Sequence, residues 1–242
     1  MRRFAQAIAE EDSLPAGFPP ALARALAAAP DRYNIGKGKQ AVVIRQVAGE
    51  LVLAEMTWGL VPRWSKQPHT PYTTVTARLS KAPRSRIYAK AWQERHCLVP
   101  MSGYYKWDRQ RQPPWPRFVQ RSDGLALFAA GLWEHWASED AALDSFALLT
   151  APNPDIPPPL TPDGPVFLEP PHALAWLEGG LTEPGALPRH AASVRLESYP
   201  VSRAIRDPAR DTFTLLEPVD PDAPGEAEWA QGEDEPDEDD LD

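Results

Sequence analysis

Short apolar runs, each ended within a few residues by Gly, Pro, Asn or Asp, dominate this chain, and that rhythm predicts strands more often than helices. Residues 41–47 and 51–57 flank Ala48-Gly49-Glu50 and predict a hairpin with a three-residue loop. Residues 97–107 predict a central strand in which Tyr105 and Trp107 alternate with Tyr104 and Lys106 across two faces. Gly103 within it marks either a bulge or the close approach of another backbone. Residues 115–120 and 125–133 read as a second hairpin across Ser122-Asp123-Gly124. Residues 145–150 are a further buried strand, ended by the proline-rich loop 152–159, and residues 193–203 and 213–216 are the last two. Helical signals are few. Residues 20–29 are alanine-rich with proline at the first position and Pro30 after the last, and Pro170-Pro171 opens a short helix through Trp176 that Gly179 and Gly180 end. Residues 4–9 fit a strand or a first helical turn equally, and residues 31–39 read as a loop with two glycines and two lysines but without P-loop spacing.

Composition turns this pattern into a fold class. With 242 residues, 43% apolar content and nine Trp, the chain can bury one large core, and a single α+β domain over residues 1–216 is the simplest arrangement. Residues 217–242 carry 13 acidic side chains and no Lys or Arg, which predicts a disordered acidic tail. The formal charge of −9 therefore misleads: residues 1–216 hold 25 Lys and Arg against 21 Asp and Glu, and residues 1–110 hold 17 against 8. A body with that excess of cations attracts polyanions, although a plain solvated surface has the same composition. One cysteine, Cys97, lies in an apolar run and predicts a small core residue rather than a disulfide. No signal-like or membrane-spanning run is present, so a cytoplasmic protein is expected.

Candidate chemistry is sparse. The five histidines fall in no metal-binding frame, and neither a Gly-x-Ser-x-Gly elbow nor a dinucleotide fingerprint occurs, so neither metal nor cofactor is expected. Trp58-Gly59-Leu60-Val61-Pro62-Arg63-Trp64 is either a packed loop or a stacking surface beside a cation. Arg78, Lys81, Arg84, Arg86 and Lys90, with Tyr88 and Trp92 among them, form the stretch best suited to phosphates. Lys106 between aromatic residues reads either as a lysine reaching water along the sheet or as a residue in a cleft.

Arg3-Phe4-Ala5, Tyr33-Asn34, Trp58-Gly59-Leu60-Val61-Pro62, Ala77-Arg78, Ser85-Arg86, Ser102-Gly103-Tyr104-Tyr105-Lys106-Trp107 and Pro200-Val201-Ser202-Arg203-Ala204 together resemble the SOS-response-associated peptidase (SRAP) family in order and spacing. The resemblance implies a single β-rich α+β domain of mostly antiparallel strands with a few short helices and a cationic groove for single-stranded DNA. It also implies a reactive N-terminal cysteine, exposed by methionine removal, that cross-links the aldehyde of an abasic site with help from an asparagine, a glutamate and a histidine. This chain departs at the chemistry. Met1 stands at the cysteine, Lys106 at the glutamate and Thr161 at the histidine; Asn34 is retained, and the family's Asn-Ala-Arg is Thr76-Ala77-Arg78. Within the resemblance Lys106 becomes a cleft residue. Arg3, Thr76, Arg78, Arg86, Thr150 and Arg203 are the expected DNA contacts, with Trp64 and Trp107 for stacking.

Three readings follow. The first is a monomeric pseudoenzyme of the DNA-damage response that holds single-stranded or abasic-site DNA without the thiol cross-link. The second is an interaction module whose acidic tail takes a basic protein partner. The third is a residual lyase or peptidase acting through Lys106 or the Met1 α-amine, Arg2 being too large for ordinary methionine removal.

Overall fold

The computed structural model describes residues 1–8, 10–183 and 185–223. Its first six strands are β1 (Arg3–Gln6), β2 (Arg32–Ile35), β3 (Gln40–Val47), β4 (Glu50–Trp58), β5 (Thr76–Arg78) and β6 (His96–Met101). The remaining strands are β7 (Gly103–Asp108), β8 (Trp115–Arg121), β9 (Leu127–Ala137), β10 (Ala142–Pro152), β11 (Asp163–Pro165) and β12 (Leu196–Pro200). Four short helices complete it: α1 (Pro20–Ala27), α2 (Ala89–Glu94), α3 (Pro170–Leu177) and α4 (Ala186–His190). The class is the α+β domain that the sequence pattern predicts, with the mostly antiparallel strands that the resemblance implies.

One sheet runs β12-β8-β7-β1-β2. In the other, β10, β4, β3, β6 and β9 pair in turn, and β9 pairs back to β10, so the ladder closes on itself like a barrel. Closure leaves few bare strand edges. One face of these strands packs on the first sheet through Phe4, Met56, Trp58, Val99, Tyr104 and Phe146, with Phe4 and Trp58 edge to face at 4.9 Å. The opposite face is covered by the helices, Leu22 and Leu26 of α1, Trp92 of α2 and Trp176 of α3 among them. Gln6 ties the layers together: its amide donates to Val42 O and Pro100 O, each at 2.7 Å, and accepts from Val42 N at 2.9 Å.

The structure revises several sequence expectations. Residues 97–107 are two strands in different sheets, because the chain turns at Ser102, whose N–H and Oγ both donate to Ala5 O. Gly103 permits the crossing: a Cβ there would lie 2.4 Å from Phe118 Cζ and 2.5 Å from Val119 O. β8 and β9 likewise sit in separate sheets, so the turn at Ser122-Asp123-Gly124 is a corner rather than a hairpin loop. The β3–β4 loop is only Ala48-Gly49, both at positive φ, with Val47 already paired to Glu50. Residues 32–35, read within a loop, are β2, and residues 213–216, read as a strand, form a 3-10 turn. The 58–64 segment divides: residues 58–62 are packed, with Trp58 Nε1 donating to Val75 O and Val61 N to Ser145 Oγ, while Arg63 reaches buried Glu134 from the surface and Trp64 is exposed beside Arg86. The domain also continues past Leu216: Val201 bridges Pro218, Val219 N donates to Pro200 O, and Arg111 pairs with Asp222 through both carboxylate oxygens. The rest of the expected tail, residues 224–242, lies outside the described residues.

Because Val119 O is backbone, moving the Phe118 ring alone would not make room for an added methyl at Gly103. Gly103→Ala should lower the unfolding free energy by about 3 kcal/mol, read by urea denaturation; a loss of only a few tenths would mean that the crossing is not tight.

Candidate functional site

β10 is the strand that builds the site. Leu148, Leu149 and Thr150 pair in parallel with Thr76, Ala77 and Arg78 of β5, while Thr150, Ala151 and Pro152 pair with Pro165, Gly164 and Asp163 of β11. Thr150 therefore has Arg78 on one side and Pro165 on the other. β7 supplies the facing wall, and β1 runs antiparallel to it with Arg3 opposite Tyr105. Carried on by that register, Arg2 and Met1 come beside Lys106 and Trp107. The space enclosed is a cleft of about 900 Å³.

Five cations line this cleft: Arg2, Arg78, Arg84, Lys106 and Arg109, against two acids, Asp163 and Glu183. Thr76, Thr150 and Thr161 add hydroxyls, and Trp107 adds an aromatic face. Lys106 is buried at 7% exposure, and its Nζ donates to the Asp163 carbonyl of β11. Gly164 of β11 leaves room for the Ile156 side chain, whose Cδ1 would lie 2.6 Å from a Cβ at that position. Arg117, opposite Lys106 across the β7–β8 ladder, is drawn away by Ser198, whose carbonyl accepts from its Nη2 at 2.7 Å. Burial holds the Arg117 guanidinium somewhat below its ordinary pKa.

The structure gathers Met1, Thr76, Arg78, Lys106, Trp107, Thr150 and Thr161 from distant parts of the sequence into this one lining. Five other candidates lie outside it. The Asn34 amide donates to the carbonyls of Ile205, Asp207 and Arg210, and its Oδ1 accepts from Arg3 Nη1 at 2.8 Å. Arg3 also reaches Arg206 O, so the two residues fasten segment 205–210 to β1 and β2. Arg203 is buried over the Trp115 ring at 4.4 Å and donates to Pro113 O. Arg86 stacks on the exposed Trp64 ring at 4.7 Å, a pair beside rather than within the cleft. Of the two positions at which the resemblance sets an asparagine, Thr76 lines the cleft and Asn34 holds segment 205–210.

Arg2, Arg84 and Arg109 were not singled out by sequence reasoning as site residues. Arg84 was visible within the basic run, but the 3-10 turn at Ala82–Arg84 decides which of that run's cations reach the cleft. Arg109 follows the last residue of β7 and carries no periodic signal. Among the described residues no three His, Cys, Asp or Glu side chains converge to hold a metal ion, and no helix is long and apolar enough to cross a membrane.

A model of the SOS response associated peptidase (SRAP) family matches residues 2–208. The chain is 25% identical over 192 residues to the abasic site processing protein YedK of Escherichia coli, covering 78% of this chain and 85% of that protein. It is 32% identical over 124 residues to the abasic site processing protein YMR114C of Saccharomyces cerevisiae, a match that spans 50% of this chain and 33% of the yeast protein. In fold it is similar to the crystal structure of a protein from Bacteroides thetaiotaomicron, with a TM-score of 0.72 and 16% identity over 90% of this chain and 100% of that one.

Cys97, the only cysteine, is fully buried in the core on β6, and burial pushes its thiol far above the usual range. It therefore stays protonated through the pH range where an exposed thiol ionises. Iodoacetamide should leave the native protein unlabelled from about pH 7 to about pH 9 and modify the thiol fully in denaturant. Native labelling that climbs with pH would place the thiol at the surface.

Proposed function

Because the chain belongs to the SOS response associated peptidase family, we propose that it binds single-stranded DNA, abasic-site DNA included, in the cationic cleft and forms no thiol cross-link there. The observation that carries this reading is the convergence of Arg2, Arg78, Arg84, Lys106 and Arg109 on one cleft beside Trp107. Guanidinium groups in that number suit successive phosphates, and an aromatic face suits an unpaired base. The relatives named above as abasic site processing proteins supply the DNA class. The absence of a cross-link rests on the cysteine position being Met1 and on Cys97 lying in the core.

Such binding should weaken steeply with salt, log affinity falling by about 0.7 per phosphate contact for each unit of log salt. Arg78→Ala and Arg84→Ala should each weaken the binding of a single-stranded oligonucleotide and flatten that slope by about 0.7, as read by fluorescence anisotropy across a KCl series. Binding indifferent to salt or to both substitutions would refute the cleft as the DNA site.

A second reading, in which the acidic tail takes the cleft in place of DNA, is favoured by one contact. Arg111, two residues along the chain from the cleft cation Arg109, holds the acidic Asp222 at 2.9 and 3.2 Å. Replacing the acidic residues of 224–242 by Asn and Gln in the full chain should then tighten DNA binding at low salt and change it little at high salt. Equal affinities at low salt would remove the tail from the cleft.

A further inference from the structure

We propose that Lys106 forms a covalent imine with the aldehyde of an abasic deoxyribose held in the cleft, an inference that rests on the DNA reading above. An abasic nucleotide opens its ring to expose an aldehyde at C1′, and a neutral primary amine is the side-chain group that condenses with it directly. Among the described residues lining the cleft, Lys106 is the one lysine. The other side-chain cations there are arginines, whose guanidinium stays protonated and is no nucleophile.

Three features of the site favour the reaction. Lys106 stands on a strand, not on a loop, and its Nζ is directed by the Asp163 carbonyl of β11, so the amine has a fixed address in the cleft. It is shielded from bulk water, which slows hydrolysis of an imine once formed. Arg78 and Arg84 lie in the same lining and suit the phosphates on either side of the damaged sugar, which would bring C1′ to the cleft floor. The residue is also the charge reversal that separates this chain from the resemblance, in which a glutamate stands at this position. A carboxylate there cannot form a carbon–nitrogen double bond; an amine can.

The step balances without any further reagent. The neutral Nζ adds to the C1′ carbonyl carbon, and the carbonyl π electrons move to oxygen. Proton transfer from nitrogen to that oxygen gives the carbinolamine, whose hydroxyl leaves with the second nitrogen proton as water. A C=N double bond replaces the C=O double bond, nothing is oxidised or reduced, and water reverses the sequence. The hydroxyls of Thr76 and Thr161 line the cleft and can hydrogen-bond the departing oxygen. The product is a reversible attachment.

Incubating the full chain with a single-stranded oligonucleotide carrying one abasic site, with and without cyanoborohydride, tests this. The expected result is an adduct that survives denaturing electrophoresis only when reductant is present, is absent with an intact oligonucleotide, and grows with pH because only the neutral amine attacks. Peptide mapping should place it on Lys106. Lys106→Arg, which keeps the positive charge, should melt as the parent does and lose the adduct by about tenfold or more when both proteins are compared at oligonucleotide concentrations that saturate each of them by anisotropy. Should that variant fail to fold, the mapped position in the parent chain decides alone. An adduct mapped to Met1, or undiminished in Lys106→Arg, overturns the assignment. DNA binding without any trapped adduct overturns the imine and leaves the binding reading standing, whereas neither binding nor adduct overturns both.

Discussion

A single missing methyl group governs where the cleft residues go. β6 is paired into the closed ladder, β7 into the other sheet, and the chain passes between them at Ser102 and Gly103. With Phe118 and Val119 O within 2.6 Å of where a Cβ would stand, only glycine admits this crossing. From there β7 runs between β1 and β8 and delivers Lys106 under β11. Had residues 97–107 continued as one strand, Lys106 and Trp107 would have remained in the ladder of β6, away from Met1 and Arg2.

The second half of the site depends on β10 taking a different neighbour on each side near its end. Where β5 pairs in parallel on one flank and β11 antiparallel on the other, the strand carries Arg78 and Asp163 to opposite lips of one opening. Residues more than eighty positions apart thus meet through ladder register alone. The charge balance there is one-sided, five side-chain cations to two acids. Two unit charges about 6 Å apart at an effective dielectric of roughly 20 interact by about 3 kcal/mol, so a carboxylate replaced by an ammonium beside a phosphate turns repulsion into attraction of that order before screening.

The elements were legible where local chemistry decides them and illegible where pairing does. Alternation and turn residues marked β3, β4, β9 and β10, and the flanking prolines and glycines marked α1 and α3, because those signals are written within a few residues. The same signals do not distinguish a hairpin from a corner: the turn at Asp123-Gly124 has hairpin residues, yet Arg121 is drawn to Glu169 and Asp123 while Ala126 N goes to Ser13 O, and the strands part into different sheets. For the site, the resemblance reached Lys106, Thr161, Thr76 and Arg78 because their motifs are contiguous. It also nominated Arg3, Asn34 and Arg203, whose cationic or amide groups look available in a sequence but are turned onto backbone carbonyls of 113 and 205–210 in the structure. Polarity in sequence does not say whether the partner is a ligand or the protein's own chain.

That distinction changes what the departures at the chemistry mean. If Asn34 were the cleft asparagine, the site would keep one of its original polar groups and look like a partial loss. With Asn34 holding segment 205–210 and Thr76 at the cleft, Met1, Thr76, Lys106 and Thr161 share one lining without a thiol, an amide, a carboxylate or an imidazole among those four side chains. The same lining keeps the cations together, with Arg78 on β5 and Arg2, Arg84 and Arg109 around the opening. A lining of arginines around one lysine and several hydroxyls is the chemistry that the proposed binding of an anionic strand and the proposed imine both draw on.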